Sequence, residues 1–361
     1  MPTIWSAISG HGYGHAAQVV PVLNELGRLV PDLKTILRTT VPASFFQDRL
    51  TIPWNLQSVQ QDVGCIQKGP LEIDVPATWE AYTAFHSQWD QRVTQEVAAM
   101  QSACPRVILA DTPYLAGCAG MEAGIPTVAL ANFTWSEVLE PFSDPDQPHH
   151  QAILEKIRQS YSYADFAMRI APGLPLSSFS KVFDIGPIAQ PAASRRNELR
   201  AHLGLAETEQ LVLVGFGGIP LESLPWDQMS RMHGYRFIVD GIQVRASPRI
   251  HSAATIPFSF KTLLASVDVV MTKPGYGTIV EAVALGLPVI YVRRYNFADE
   301  PPLVSFLHQY GRGYELSLRD FVAGNWRSAF EAIGTASKTS SPPLCTGASD
   351  AARHLADFFS A

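Results

Sequence analysis

The chain has no excess of positive charge and no concentrated run of it. Its 361 residues carry 27 basic against 33 acidic side chains, a formal charge of −6. Arg195-Arg196 and Arg293-Arg294 are only pairs, and no run of four Lys or Arg occurs. That balance argues against a general nucleic-acid binder and leaves room for a small anion held by backbone N–H groups. Cysteine is scarce: Cys65, Cys104, Cys118 and Cys345 stand apart without CxxC spacing, so reduced thiols in a cytosolic protein are expected rather than disulfides. No continuous apolar stretch reaches about 18 residues, so no membrane span is expected. Residues 1–9 lack the basic segment and long apolar core of a signal peptide. Together these absences point to a cytoplasmic protein.

What is present is core-forming material, 47% apolar residues, on a chain too long for one ordinary domain. The organisation starts at once. Thr3 to Ile8 is a short apolar run, and it flows into Ser9-Gly10-His11-Gly12-Tyr13-Gly14-His15-Ala16 before an apolar-periodic segment with Val19, Val20, Leu23, Leu26 and Leu29. A strand, a tight turn and a helix N-terminus follow from that pattern, and such a helix end receives anions. A similar arrangement lies at Asp268-Val269-Val270-Met271, followed by Thr272-Lys273-Pro274-Gly275-Tyr276-Gly277-Thr278. One such loop in each half predicts two α/β domains facing a central cleft.

The rhythm between the loops fits parallel sheets covered on both faces. Residues 34–39 read as a strand, 74–100 as one helix, 107–110 as a strand ending at Asp111, and 114–122 as a helix stopped by Gly124. A strand at 126–130 follows. On the long helix Trp79, Tyr82, Phe85 and Trp89 recur at three- and four-residue steps, the spacing of a buried face. Residues 141–150 read as a polar, proline-rich loop. Its Asp144, Asp146, His149 and His150 imitate a ligand cluster, but the prolines favour a solvent-exposed loop, and no metal is expected. The chain restarts at Leu211-Val212-Leu213-Val214 and Phe216-Gly217-Gly218. The expected domains are 1–188 and 189–345, with residues 346–361 as a closing helix that packs back on the first.

Several residues carry chemistry in this pattern. Gly10, Gly12 and Gly14 permit a close turn with exposed backbone, without the lysine and hydroxyl of a P-loop. His15 falls at a helix start, where the positive end disfavours a cation and a neutral imidazole can take a proton from a hydroxyl. His11 is the other candidate base, and either ring could instead satisfy a buried backbone group. Asp111 ends a parallel strand, where ligand crevices lie. It either orients a histidine or contacts a ligand hydroxyl, or it caps the helix beginning near Pro113. Asn132 and Thr134 either read ligand hydroxyls or cap a loop.

These loops resemble the two-domain nucleotide-sugar glycosyltransferase fold called GT-B. The sequence is similar to the glycosyltransferase-like N-terminal region of plant L-arabinokinases. The likeness runs through residues 9–16, Ala131-Asn132-Phe133-Thr134-Trp135, 273–282, Tyr291-Val292-Arg293-Arg294 and Phe297-Ala298-Asp299-Glu300-Pro301, and on to Gly324-Asn325-Trp326-Arg327. The sugar-kinase domain of those proteins is missing, so kinase activity is not implied. More distantly it resembles the bacterial transferase that adds N-acetylglucosamine to lipid-linked muramoyl-pentapeptide. Here the glycine loop carries two histidines where that family has a plainer turn.

The resemblance implies Rossmann-like domains with mainly parallel sheets and a nucleoside diphosphate sugar as co-substrate, with no other cofactor. It implies acceptor and pyrophosphate contacts from Gly12 and Gly14, and donor diphosphate contacts from Gly217, Gly218, Lys273, Gly275, Tyr276, Gly277 and Thr278. Glu281, one turn beyond Thr278, would accept both ribose hydroxyls. Arg293 and Arg294 would contact phosphate or pair with Asp299 or Glu300. Asp299 and Glu300 would read the donor sugar, or else form an exposed acidic turn. The activity implied is transfer of the sugar to a hydroxyl-bearing acceptor, without a metal. The alternatives are a nucleotide-sugar 2-epimerase and a nucleotide-sugar binding protein without turnover. Each differs from a transferase in what happens to the donor alone.

Overall fold

The computed structural model describes residues 1–217, 221, 223–245, 247–336 and 339–360. The chain divides into two compact domains. The first comprises Met1–Ile66, Ile73–Ile188 and Cys345–Ala361, and the second Gln67–Glu72 and Ala189–Leu344. The excursion at Gln67–Glu72 was not expected from the sequence. Its Leu71 packs into the core of the second domain.

In the first domain the strands are β1 (Thr3–Ile8), β2 (Lys34–Arg38), β3 (Trp54–Gln57), β4 (Val107–Asp111), β5 (Thr127–Ala131), β6 (Phe166–Ile170) and β7 (Val182–Ile185). They form one sheet ordered β3-β2-β1-β4-β5-β6-β7, with all neighbours parallel. The second domain contains β8 (Gln210–Val214), β9 (Tyr235–Val239), β10 (Ile250–Ser252), β11 (Val269–Thr272), β12 (Val289–Tyr291) and β13 (Gly313–Glu315). Its order is β10-β9-β8-β11-β12-β13, again all parallel. Both sheets reverse the direction of strand addition once, between β1 and β4 and between β8 and β11. At such a reversal the loops leaving adjacent strands part, and ligands bind beyond the strand ends.

Alternation within β8 shows why both sheet faces are covered. Leu211 and Leu213 join one apolar cluster, while Val212 and Val214 join another on the opposite face. The aromatic stripe at Trp79, Tyr82, Phe85 and Trp89 is buried, as core packing requires. It does not lie on one helix, however. The expected helix over 74–100 is two, Val75–His86 and Trp89–Ala103, broken at Ser87 and Gln88. Asp74 caps the first through a bond from Ala77 N–H to its side chain.

Residues 141–150 also differ from the expected exposed loop. A helix starts at Pro148, a residue suited to a first turn, and runs to Ser162. His150 is buried and stacks on Trp79 with ring centroids 3.8 Å apart. At the other end the helix Gly347–Ala356 packs on the helix Gly14–Leu29. A side chain at Gly347 would run into the backbone of Gly186, so the residue must be small there.

Candidate functional site

The first domain gathers chemistry where β1 and β4 lie side by side, with Ile8 paired to Asp111. The chain leaves β1 through Ser9, whose N–H donates to the Asp111 carbonyl at 2.8 Å. It turns tightly, Gly12 N–H bonding the Gly10 carbonyl at 2.9 Å, with Gly12 at φ +81°. The helix then begins at Gly14, placing His15 in its first turn. His15 is 7% exposed and Asp111 wholly buried. The His15 Nδ1–H donates to Asp111 Oδ1 at 2.9 Å. That bond fixes the tautomer in which Nε2 is the basic nitrogen. Among the described residues nothing bonds Asp111 Oδ2. Burial pushes the Asp111 carboxyl above its usual range, and the neighbouring His15 pulls it back.

Asp111 is therefore a histidine partner and not a helix cap. The helix after it starts at Leu115, with Tyr114 at the cap position. Thr134 is a cap: it forms a reciprocal capping box with Glu137 at the start of the helix Trp135–Leu139. Asn132 is buried, and its carbonyl accepts from Leu174 N–H at 2.8 Å. Aromatic rings enclose the histidines. Phe133 lies 5.6 Å from His15, and Trp135 lies 6.3 Å from His15 and 5.6 Å from His11.

One residue escaped the sequence reading. Asp62, 4% exposed, accepts from Ser9 Oγ at 3.0 Å and from Trp135 Nε1 at 2.8 Å. It lies in an aperiodic stretch with no motif around it. A signal was available two residues on: Gly64, at φ +76°, has no room for a side chain because the His11 ring occupies that space.

The second domain repeats the arrangement where β8 meets β11. Gly217, at φ +79°, follows β8, and a side chain there would approach Lys273 Cε at 3.6 Å. Gly218 lies outside the described residues. Gly275 precedes the helix Tyr276–Leu285, whose first turn has no side-chain cap. Gly277 and Thr278 lie in that turn, while Tyr276 packs on the domain core. Glu281 is 7% exposed and forms an ion pair with Lys261, Oε1 to Nζ, at 2.6 Å.

The expected exposed acidic turn at Asp299 and Glu300 is not formed. Glu300 is wholly buried. Its Oε1 accepts from Arg293 Nε at 2.8 Å, and its Oε2 accepts the Arg294 backbone N–H at 2.7 Å. Asp299 also pairs with Arg294, at 3.3 Å. Of the two options for the arginine pair, the structure holds the carboxylate pairing. Both oxygens of the buried Glu300 carboxylate are thus engaged by the arginine pair.

Lys273 is different. Among the described residues its ammonium has no carboxylate partner in bonding range. Burial, with repulsion from Arg294, lowers it to about 8, against a weaker opposite pull from Asp299. At pH 7 the folded state thus carries a penalty on this charge that the unfolded chain does not. The penalty fades as pH rises from about 8 towards the ordinary lysine range. Lys273→Met is expected to raise the melting temperature at pH 7 by about 2–4 °C, the effect of about 1 kcal/mol in a domain of this size. The gain should shrink towards pH 10. Thermal melts of both proteins across that range check it; an equal difference at every pH would show that the ammonium carries no penalty.

Among the described residues no group of three or more His, Cys, Asp or Glu is placed to hold a metal ion, and no helix is long and apolar enough to cross a membrane.

No known protein-family description matches the sequence. The chain is 29% identical over 331 residues to L-arabinokinase of Arabidopsis thaliana, covering 90% of this chain and 31% of that protein. It thus spans about a third of the length of that curated relative. Among solved structures it is similar to CalG4, the calicheamicin glycosyltransferase, with TM-score 0.63 and 16% identity over 99% of this chain and 95% of that one. It is similar to Phytolacca americana UGT2 complexed with UDP-2fluoro-glucose and pterostilbene, with TM-score 0.62, 16% identity, and coverage of 99% and 94%. S. aureus MnaA in its UDP co-structure gives TM-score 0.61 at 12% identity, covering 99% and 97%. Two Rossmann-like domains with parallel sheets give the chain the GT-B fold. It is a GT-B-fold protein distantly related to plant L-arabinokinase.

Proposed function

We propose that the protein is a glycosyltransferase that moves a sugar from a nucleoside diphosphate sugar to a hydroxyl-bearing acceptor. The observation that carries this reading is the buried His15–Asp111 pair at the β1/β4 reversal, 2.9 Å apart. An imidazole oriented by a carboxylate is suited to deprotonate an attacking hydroxyl. The acceptor O–H bond breaks as its proton passes to His15 Nε2. The oxygen bonds to the anomeric carbon, and the bond from that carbon to the diphosphate breaks. Direct displacement of this kind inverts the anomeric centre. The first domain, with residues 1–66, 73–188 and the closing helix, is the acceptor side.

The second domain, through residues 189–345, is the donor side. Charge growing on the leaving diphosphate is met by Lys273 and by backbone N–H groups opening the helix Tyr276–Leu285. Gly217, Gly275, Gly277 and Thr278 leave the backbone approachable there. The reading is metal-independent, with these groups standing where other glycosyltransferases use a divalent ion. Four scattered cysteines without CxxC spacing suit a reducing, cytoplasmic setting.

Glu281 holds the donor ribose in this reading, with Lys261 orienting its carboxylate. Glu281→Ala should weaken donor binding by about 1–3 kcal/mol, the cost of leaving polar partners unsatisfied. The loss should largely vanish for a 2′,3′-dideoxyribose analogue. Calorimetry showing equal weakening of both ligands would remove the ribose role.

The test of the function is a screen of UDP-, GDP-, CDP- and dTDP-sugars, followed by product analysis with candidate acceptors and crystallisation with the best donor. Transfer, with pyrophosphate against residues 273–278, supports the reading. Conversion of the donor sugar without any acceptor would replace it with epimerisation. Tight binding without transfer or hydrolysis would replace it with a sensor.

A further inference from the structure

We infer that Asp62 is a positioning residue for His15: a second buried carboxylate that braces the histidine enclosure and counters the charge His15 takes up during transfer. The inference rests on the proposed base role of His15.

Three loops meet at this one side chain. Ser9 comes from the end of β1, Asp62 from the segment after β3, and Trp135 from beyond β5. Asp62 Oδ1 accepts from Ser9 Oγ at 3.0 Å, and the same Ser9 oxygen receives His11 N–H at 3.3 Å. Asp62 Oδ2 accepts the Trp135 indole N–H at 2.8 Å. Both histidine rings lean on that indole, His11 edge-on at 5.6 Å and His15 tilted at 6.3 Å. The carboxylate therefore sets the wall against which the imidazoles rest.

Charge gives the second half of the argument. His15 lies in the first turn of a helix, where the positive end opposes an imidazolium. One carboxylate, Asp111, touches the ring. Asp62 acts on the ring through its field: burial is the largest influence and raises its carboxyl, the Trp135 bond, His15 and the Ser9 bond favour its ionised form, and Asp111 disfavours it. Among the described residues Tyr82, Tyr114 and Tyr161 also feel the Asp62 charge, and burial keeps their phenols neutral. When Asp62 and Asp111 are both ionised, their mutual repulsion is relieved by a proton arriving on the His15 ring. That proton is the one leaving the acceptor hydroxyl.

The experiment is NMR titration of histidine-labelled protein, with the His15 signal assigned by its loss in His15→Gln. Asp62→Asn keeps the shape and an acceptor oxygen but removes the charge. The His15 midpoint is expected to fall so that proton affinity drops about tenfold. Trp135→Phe removes the indole bond that favours ionised Asp62 and should move the His15 midpoint in the same direction. An unchanged midpoint in a folded Asp62→Asn protein would overturn the inference and reduce Asp62 to a scaffold. If that variant does not fold, carbon-13 titration of wild-type aspartates decides: the Asp62 carboxyl should shift in step with His15, and no such step overturns the inference. These readouts use no substrate, so a failure of the transferase reading would appear separately, as absent transfer by a protein whose His15 and Asp62 are coupled.

Discussion

His15→Gln should keep donor affinity and lose transfer by about 10²–10⁴-fold, the span of a positioned acid–base group. Glutamine preserves bulk and polarity in the first helical turn but has no nitrogen basic enough to take a proton. Its amide can still donate to Asp111 Oδ1, so the buried carboxylate is not stranded. That is why this substitution separates chemistry from support. If the ring merely filled the turn, melting temperature, donor affinity and rate would fall together. The measurement is transfer at saturating donor and acceptor, set beside the donor Kd. Near-normal transfer by the variant would take His15 out of the reaction.

The neighbouring variants order the roles further. His11 is half-buried against Trp135 rather than bonded to Asp111, so His11→Gln should act more weakly, through acceptor placement. Asp111 occupies the end of β4 with one oxygen on His15 and, among the described residues, no group on the other. Burial raises its pKa, and the neighbouring imidazole pulls it back.

The His15–Asp111 pair was legible in the sequence because each residue ends or follows an apolar run. In a parallel sheet such runs deliver their last residues to one edge, whatever else the chain does. Adjacency of β1 and β4 then follows from the strand order, and the bond between the residues needs only that register. Asp62 was not legible for the complementary reason. It sits beyond β3, which two intervening strands separate from β4 in the sheet, in a stretch without periodicity, and reaches the site only because that segment folds across the strand ends. The break at Ser87 and Gln88 left no mark either, since neither residue is a glycine or proline and the aromatic spacing continues through it. Local pattern sets elements; long-range loop packing, which pattern does not encode, sets which carboxylates meet.

Glu300 shows the same limit, with a larger energetic consequence. Before Pro301-Pro302 the residues Asp299 and Glu300 read as an exposed turn, yet the prolines sit in the first helical turn and Glu300 points inward to the arginines seven and six residues earlier. Glu300→Ala should destabilise the second domain by about 3–5 kcal/mol, the cost of leaving buried charge without its partner. Arg294 is 7% exposed and would keep only Asp299, while its backbone N–H would lose the acceptor at 2.7 Å. Asp299→Ala should cost less, because Glu300 still holds both arginines and the lost contact is a longer one. Urea unfolding of the second domain's transition measures both. Glu300→Gln, which keeps one acceptor oxygen, separates the structural role from sugar reading. It should lower stability while leaving the ratio of UDP to UDP-sugar affinity unchanged. A variant that unfolds normally but binds UDP-sugar no better than UDP would instead assign Glu300 to the donor sugar.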